Sequence, residues 1–184
     1  MKEADVLKKL REFLNTPSSS EVRYIRELTL REGLNRADLV SITKDEMHCY
    51  EIKSEADNLN RLIKQACSYV KVFDRITIVL AQKHLDIARK VLPHWWGFLV
   101  ITPSGEFIQE RIAKPNPIRE AIAIAQVFTS DEAEKYLSLK IERKELRSVS
   151  KSLYRGMLPK NFGIEELRDY LVDSLYSRAA PSFA

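Results

Sequence analysis

Cysteine is scarce. Two occur in 184 residues, Cys49 and Cys67, and no Cys-x-x-Cys exists. One falls in a strand pattern and the other in a helix pattern, which argues against a disulfide scaffold and a structural zinc site. A reducing, cytoplasmic setting is expected. The three histidines, His48, His84 and His94, share no ligand spacing. No apolar run approaches the ~18–20 residues that cross a bilayer, so no membrane partner is expected. The opening MKEADVLKKLREFL is a charged amphipathic pattern, unlike the apolar core of a signal peptide. There is no internal repeat and no low-complexity tract beyond TPSSS at 16–20. Without a long heptad run or a large apolar stripe the oligomeric state stays open, a homodimer included.

What is present is a hydrophobic content of 45% and a net charge of +4. That suffices for a sizeable core, and the chain length fits one domain with appended helices. The positive balance, with a pI near 9.0, leans toward an anionic partner.

Hydrophobic spacing predicts a helix over residues 3–14. Residues 21–30 are ambiguous: Val22, Ile25, Leu28 and Thr29 suit a helix, and the β-branched content also allows a strand. Arg36–Thr43 and Met47–Ser54 read as strands, Asn58–Phe73 as a helix, and Arg75–Leu80 (RITIVL) as a strand buried on both faces. A short helix over Leu85–Leu92 and a hairpin of Gly97–Ile101 with Glu106–Ile112 follow. The remainder is helical: Ile118–Phe128, then a long helix opened by a Thr129/Glu132 capping box and running toward Tyr154, broken by Gly156 and Pro159, and finally Ile164–Arg178. The expected architecture is mixed α/β, a core over 1–113 with a helical extension over 114–184 packed on it.

The chemistry concentrates between Arg36 and Tyr69. With the turn centred between Lys44 and Asp45, strand partners sum to 89. Val40 then faces Cys49, and Asp38 faces Glu51, with Lys53 on the same side. Leu39, Tyr50 and Ile52 lie on the other face. Two opposed carboxylates repel, and a cation between them relieves this. Oxygen ligands with open positions suit Mg²⁺ or Mn²⁺. A lysine beside them can orient a water or stabilise charge developing on phosphorus.

Asp38 followed by Glu51-x-Lys53 on adjacent strands resembles the PD-(D/E)XK nuclease superfamily. Gln65-x-x-x-Tyr69 in the next helix is similar to the motif of its exonuclease-type branch. The match covers about residues 21–80 and resembles small bacterial and phage members; Ala37 stands where the name-giving motif has proline. The resemblance implies a restriction-endonuclease-like αβββαβ core and a Mg²⁺-dependent nuclease acting on DNA. It also implies a metal held by Asp38, Glu51, the backbone carbonyl of Ile52 and an acid from a preceding helix. Glu27 fits that last role best, with Glu21 second. Lys53 would position the nucleophilic water, and Gln65 and Tyr69 would surround the site beside Arg61. The alternative is a catalytically silent nucleic-acid-binding or assembly protein on the same scaffold. Residues 140–160 hold seven Lys/Arg against Glu142 and Glu145, either a solvated face or a grip on phosphates.

Overall fold

The computed structural model describes residues 2–14, 22–30, 35–59 and 62–179. The elements run α1 (Glu3–Leu14), β1 (Arg23–Leu30), β2 (Asn35–Ile42), β3 (Met47–Lys53), α2 (Leu62–Tyr69), β4 (Arg75–Ala81), α3 (Leu85–Val91), β5 (Gly97–Ile101) and β6 (Phe107–Arg111). They continue through α4 (Ala121–Ala125), α5 (Ser130–Leu137), α6 (Arg143–Arg147), α7 (Tyr154–Asn161) and α8 (Ile164–Arg178). The strands form a six-stranded mixed sheet in sequential order, β1 to β6. β3, β4 and β5 pair in parallel, and the outer pairings are antiparallel. Each parallel step needs a crossover, and α2 and α3 supply them.

The sheet is covered on both faces, as the parallel centre requires. One face carries α2, α3 and the later helices. A single buried cluster there joins Val40, Cys49, Ile78 and Phe98 to Leu137, Leu158 and Leu171. The other face is covered by α1, whose Val6, Leu7 and Leu10 meet Leu39, Tyr50, Ile52 and Leu99. β4 is buried at six of its seven positions, in keeping with its central place.

Several sequence expectations need correction. Residues Arg23–Leu30, open between helix and strand in the sequence, form a strand, so Glu27 lies on β1 and not on a preceding helix. The helix expected over Asn58–Phe73 is shorter, Leu62–Tyr69, and that over Ile118–Phe128 shrinks to Ala121–Ala125. The long helix toward Tyr154 is two helices, α5 and α6, followed by a 3-10 turn over Lys151–Leu153 that leads into α7. Ser148 and Ser150 fall at the second break, where short polar side chains compete for backbone hydrogen bonds. Gly156 and Pro159 lie inside α7. The Thr129/Glu132 capping box is present: Glu132 N–H donates to Thr129 Oγ1 at 3.2 Å and Thr129 N–H to Glu132 at 2.7 Å.

Asp74 ties the helices to the sheet. It accepts Met47 N–H at 2.8 Å and the Arg119 guanidinium at 2.8 Å. Arg168 of α8 adds two further bonds, at 2.8 and 3.1 Å.

Candidate functional site

The β2–β3 ladder runs Leu39–Tyr50, Val40–Cys49, Ser41–His48 and Ile42–Met47, all summing to 89. It stops at Leu39. Beyond that point the Asp38 carboxylate, rather than the β2 backbone, accepts the Ile52 N–H at 2.7 Å. The cause lies one strand further out. On β1, Glu27 adopts φ 51°, in the left-handed region that non-glycine residues rarely enter. Pairs on either side, Arg26–Leu39 and Leu28–Ala37, keep a sum of 65, and the position between them opposes Glu27 to Asp38. Across this irregularity the alternation of faces flips. Leu28, Leu30 and Ala37 join the same buried cluster as Val40 and Ile42, although strict alternation would separate Ala37 from Val40. The β2–β3 ladder leaves a gap in backbone pairing here, which side chains fill.

Glu51 sits in that gap with no solvent exposure. Lys53 Nζ donates to its Oε1 at 2.5 Å. The Tyr69 hydroxyl, delivered by α2, donates to its Oε2 at 2.7 Å and lies 2.9 Å from the Arg36 carbonyl. Asp38 completes the group. Burial first, and then the Glu51 charge, raise its carboxyl to about 7, the Ile52 N–H opposing this. A carboxyl–carboxyl hydrogen bond to Glu51 adds to the effect. For Lys53, burial alone would lower the pKa. The Glu51 carboxylate outweighs it and holds the ammonium above its ordinary value. Burial and the same carboxylate drive Tyr69 well upward, which keeps it a donor.

Asp38, Glu51, Lys53 and Tyr69 are thus brought together. Gln65 lies one helical turn before Tyr69 on the same side of α2, half-buried, and its Oε1 is buried with no hydrogen-bond partner. Glu27 does not join the pair. It is exposed and bridges to Arg36 at 3.1 Å. Glu21 and Arg61 fall outside the described residues. Among the described residues no three His, Cys, Asp or Glu side chains converge as a metal cage.

Sequence reasoning missed Glu3. The helix before the strands is α1, and Glu3 opens it. Partial burial, then the charges of Asp38 and Asp57, raise its carboxyl, while Lys53 acts in the opposite sense. Glu3, exposed at the start of α1, thus lies within electrostatic reach of the site from 35 positions away in sequence. The only local signal was an acid in a first helical turn, which is ordinary capping chemistry. Asp57 also stands nearby as a turn anchor: it accepts the Ser54 N–H at 2.7 Å and hydroxyl at 2.6 Å. His84 fixes the same loop through the Ser54 carbonyl at 3.0 Å.

The sequence profile of bacteriophage P4 protein cII matches residues 1–180. The chain belongs to the bacteriophage P4 protein cII family. No curated protein matches this cII-family chain significantly. Two solved structures are distantly similar. One is SPO1766, a protein of unknown function from Silicibacter pomeroyi. It is 20% identical over 71% of this chain and 88% of that one, with a TM-score of 0.44. The other is SfsA of Pyrococcus furiosus in complex with Ca²⁺, 19% identical over 60% of each chain, TM-score 0.31. No helix among the described residues of the cII-family chain is long and apolar enough to cross a membrane.

Proposed function

We propose that the chain is a divalent-metal-dependent nuclease that hydrolyses DNA phosphodiester bonds on a restriction-endonuclease-like core. The observation that carries this is the carboxyl pair of half-buried Asp38 and buried Glu51, with Lys53 against Glu51. Two desolvated carboxyls in contact are costly unless a proton or a cation lies between them. The donor set fits Mg²⁺ or Mn²⁺: hard oxygens only, and such ions need one or two carboxylates with the remaining positions left to water and phosphate. In extended backbone a residue's N–H and C=O face the same edge. The Ile52 carbonyl therefore turns toward Asp38, as its N–H does, and is available as a further ligand. Glu27 lacks that access in this arrangement, and Glu3 is the better-placed third acid.

When bound, the metal supplies Lewis-acid stabilisation of charge developing on the phosphoryl oxygens. The chain's own residues do the rest. Lys53, kept charged by Glu51, orients the attacking water and offers a cation to the pentavalent phosphorus. Tyr69 holds Glu51 in its rotamer. Gln65, with an unsatisfied oxygen, offers an acceptor to water or substrate at the rim.

Linear, circular and branched DNA incubated with and without Mg²⁺ or Mn²⁺ tests the reading. Lys53→Ala and the charge-balanced double variant Glu51→Gln/Lys53→Met serve as controls. Wild type is expected to cleave at least one form in metal, and both variants to fail. Undiminished cleavage by the double variant refutes the assignment. The second reading, a silent binding or assembly protein, draws on the finding that no third carboxylate joins the pair among the described residues. A melting temperature raised by Mg²⁺ with no cleavage of any DNA form selects it.

A further inference from the structure

A groove of about 460 Å³ opens between β1 and the helical extension, lined in part by Glu27, Thr29, Thr129, Ser130, Arg155 and Arg178. Two arginines and the N-terminus of α5 supply its polar wall. Arg178 is already engaged, pairing with Glu132 at 3.0 Å. Arg155 is not: its Nε is buried without a hydrogen-bond partner, and it forms no ion pair among the described residues. A buried guanidinium N–H left unsatisfied is costly and asks for an acceptor. Of the seven basic residues between 140 and 160, others are spoken for. Lys140 bonds the Asn161 carbonyl, and Lys151 bridges to Asp131 and Glu134. At its opposite wall the groove carries Glu27, whose place in the β1–β2 register is one cross-strand step from Asp38.

We infer that this groove is an anion site that seats a phosphate of a single nucleic-acid strand beside the Asp38–Glu51–Lys53 group, with Arg155 as its principal donor. The partner's identity rests on the proposed phosphodiester chemistry; the need for an anion rests on Arg155 alone. The volume is that of a pocket for one small-molecule-sized unit, which suits a nucleotide of an unpaired strand better than a duplex. Arg155 presents planar donors matched to phosphate oxygens. Glu27, held by Arg36, closes the acidic side and keeps the phosphate toward the arginine end.

The test is binding of a labelled single-stranded oligonucleotide in EDTA, where no cleavage intervenes, across a salt series, with a duplex of the same sequence in parallel. The full chain is compared with Arg155→Gln and Ser130→Asp. Arg155→Gln removes the cation without emptying the wall. Ser130→Asp places a negative charge in the groove at a helix start that tolerates acids, so its melting temperature should hold. Each is expected to weaken strand binding roughly tenfold, the value of one charge-assisted hydrogen bond. Arg155→Gln should also lower the slope of log K against log salt by about 0.7, one phosphate's share on a single strand. Unchanged affinity and slope in both variants overturns the inference and leaves the cleavage reading standing. A defect confined to duplex also overturns it. Weakened strand binding without cleavage by wild type in any metal supports the groove and removes the nuclease reading instead.

Discussion

Replacing Asp38 with asparagine should stabilise the metal-free protein at alkaline pH and not at acid pH. In the folded chain the carboxyl titrates at about 7, against an ordinary 3.8. The folded state therefore holds the proton more tightly than the unfolded chain. That stabilisation is fully present below pH ~4 and is lost as pH rises through about 7. At about 1.4 kcal/mol per pH unit the loss amounts to about 4 kcal/mol. The wild-type curve alone is a poor readout because His48 slopes the other way. Burial, then Arg75, push its imidazole down to about 3 from 6.5. Its contribution is present above pH ~6.5 and lost as pH falls toward ~3. The difference between wild type and Asp38→Asn cancels His48 and isolates the carboxyl. The amide oxygen still accepts the Ile52 N–H and carries no charge at any pH. Urea unfolding in EDTA should show near-equal midpoints at about pH 4. At about pH 8 the variant should gain about 2–4 kcal/mol, or about 1–2 M urea at a slope of about 2 kcal/mol/M. Mg²⁺ at about pH 8 should raise the wild-type midpoint and leave the variant where it was. A variant no more stable than wild type at about pH 8 in EDTA would refute the reasoning.

Lys53→Met strands Glu51 as a buried, unpaired charge and should cost about 3–5 kcal/mol, while Glu51→Gln/Lys53→Met recovers most of it in the same denaturation assay; additive losses would contradict a paired origin. Asp74→Ala leaves Arg119, Arg168 and the Met47 N–H without their shared acceptor, and a loss of about 3 kcal/mol or more is expected by urea melting. Gly97→Ala should destabilise by about 1–3 kcal/mol on calorimetry, because the new methyl would meet Thr77 Oγ1 at 2.5 Å and the Ala113 nitrogen at 2.9 Å. A melting temperature equal to wild type would mean that β4 and β5 yield more readily than a packed sheet centre should.

The β2–β3 register was readable because Leu39–Ile42 and Met47–Tyr50 alternate cleanly and a short turn fixes the phase. The central strand β4 was readable from its unbroken apolar run. β1 was not. Its left-handed residue flips the alternation, so Ile25 and Leu28, three apart, pack against the same cluster. That spacing imitates a helix, and it turned Glu27 into an apparent helix-borne acid. Glu3 was invisible for a different reason: only the packing of α1 across the sheet brings it near Asp38, and no periodicity carries that information. The pieces after Thr129 were masked by continuous helical propensity, since the breaks at 138–142 and 148–153 contain neither glycine nor proline.

The left-handed turn at Glu27 has a consequence for tolerance to change. A β-branched residue there would favour ordinary strand geometry. That would restore alternation along β1 and rotate either Tyr24 and Ile25 or Leu28 and Leu30 onto the wrong face. The error would pass through the ladder to Asp38 and close the breach in which Glu51 lies. A position that touches neither Glu51 nor Lys53 would then decide whether the carboxyl pair exists. Glycine and asparagine, which enter this backbone region at least cost, should be the substitutions the site survives.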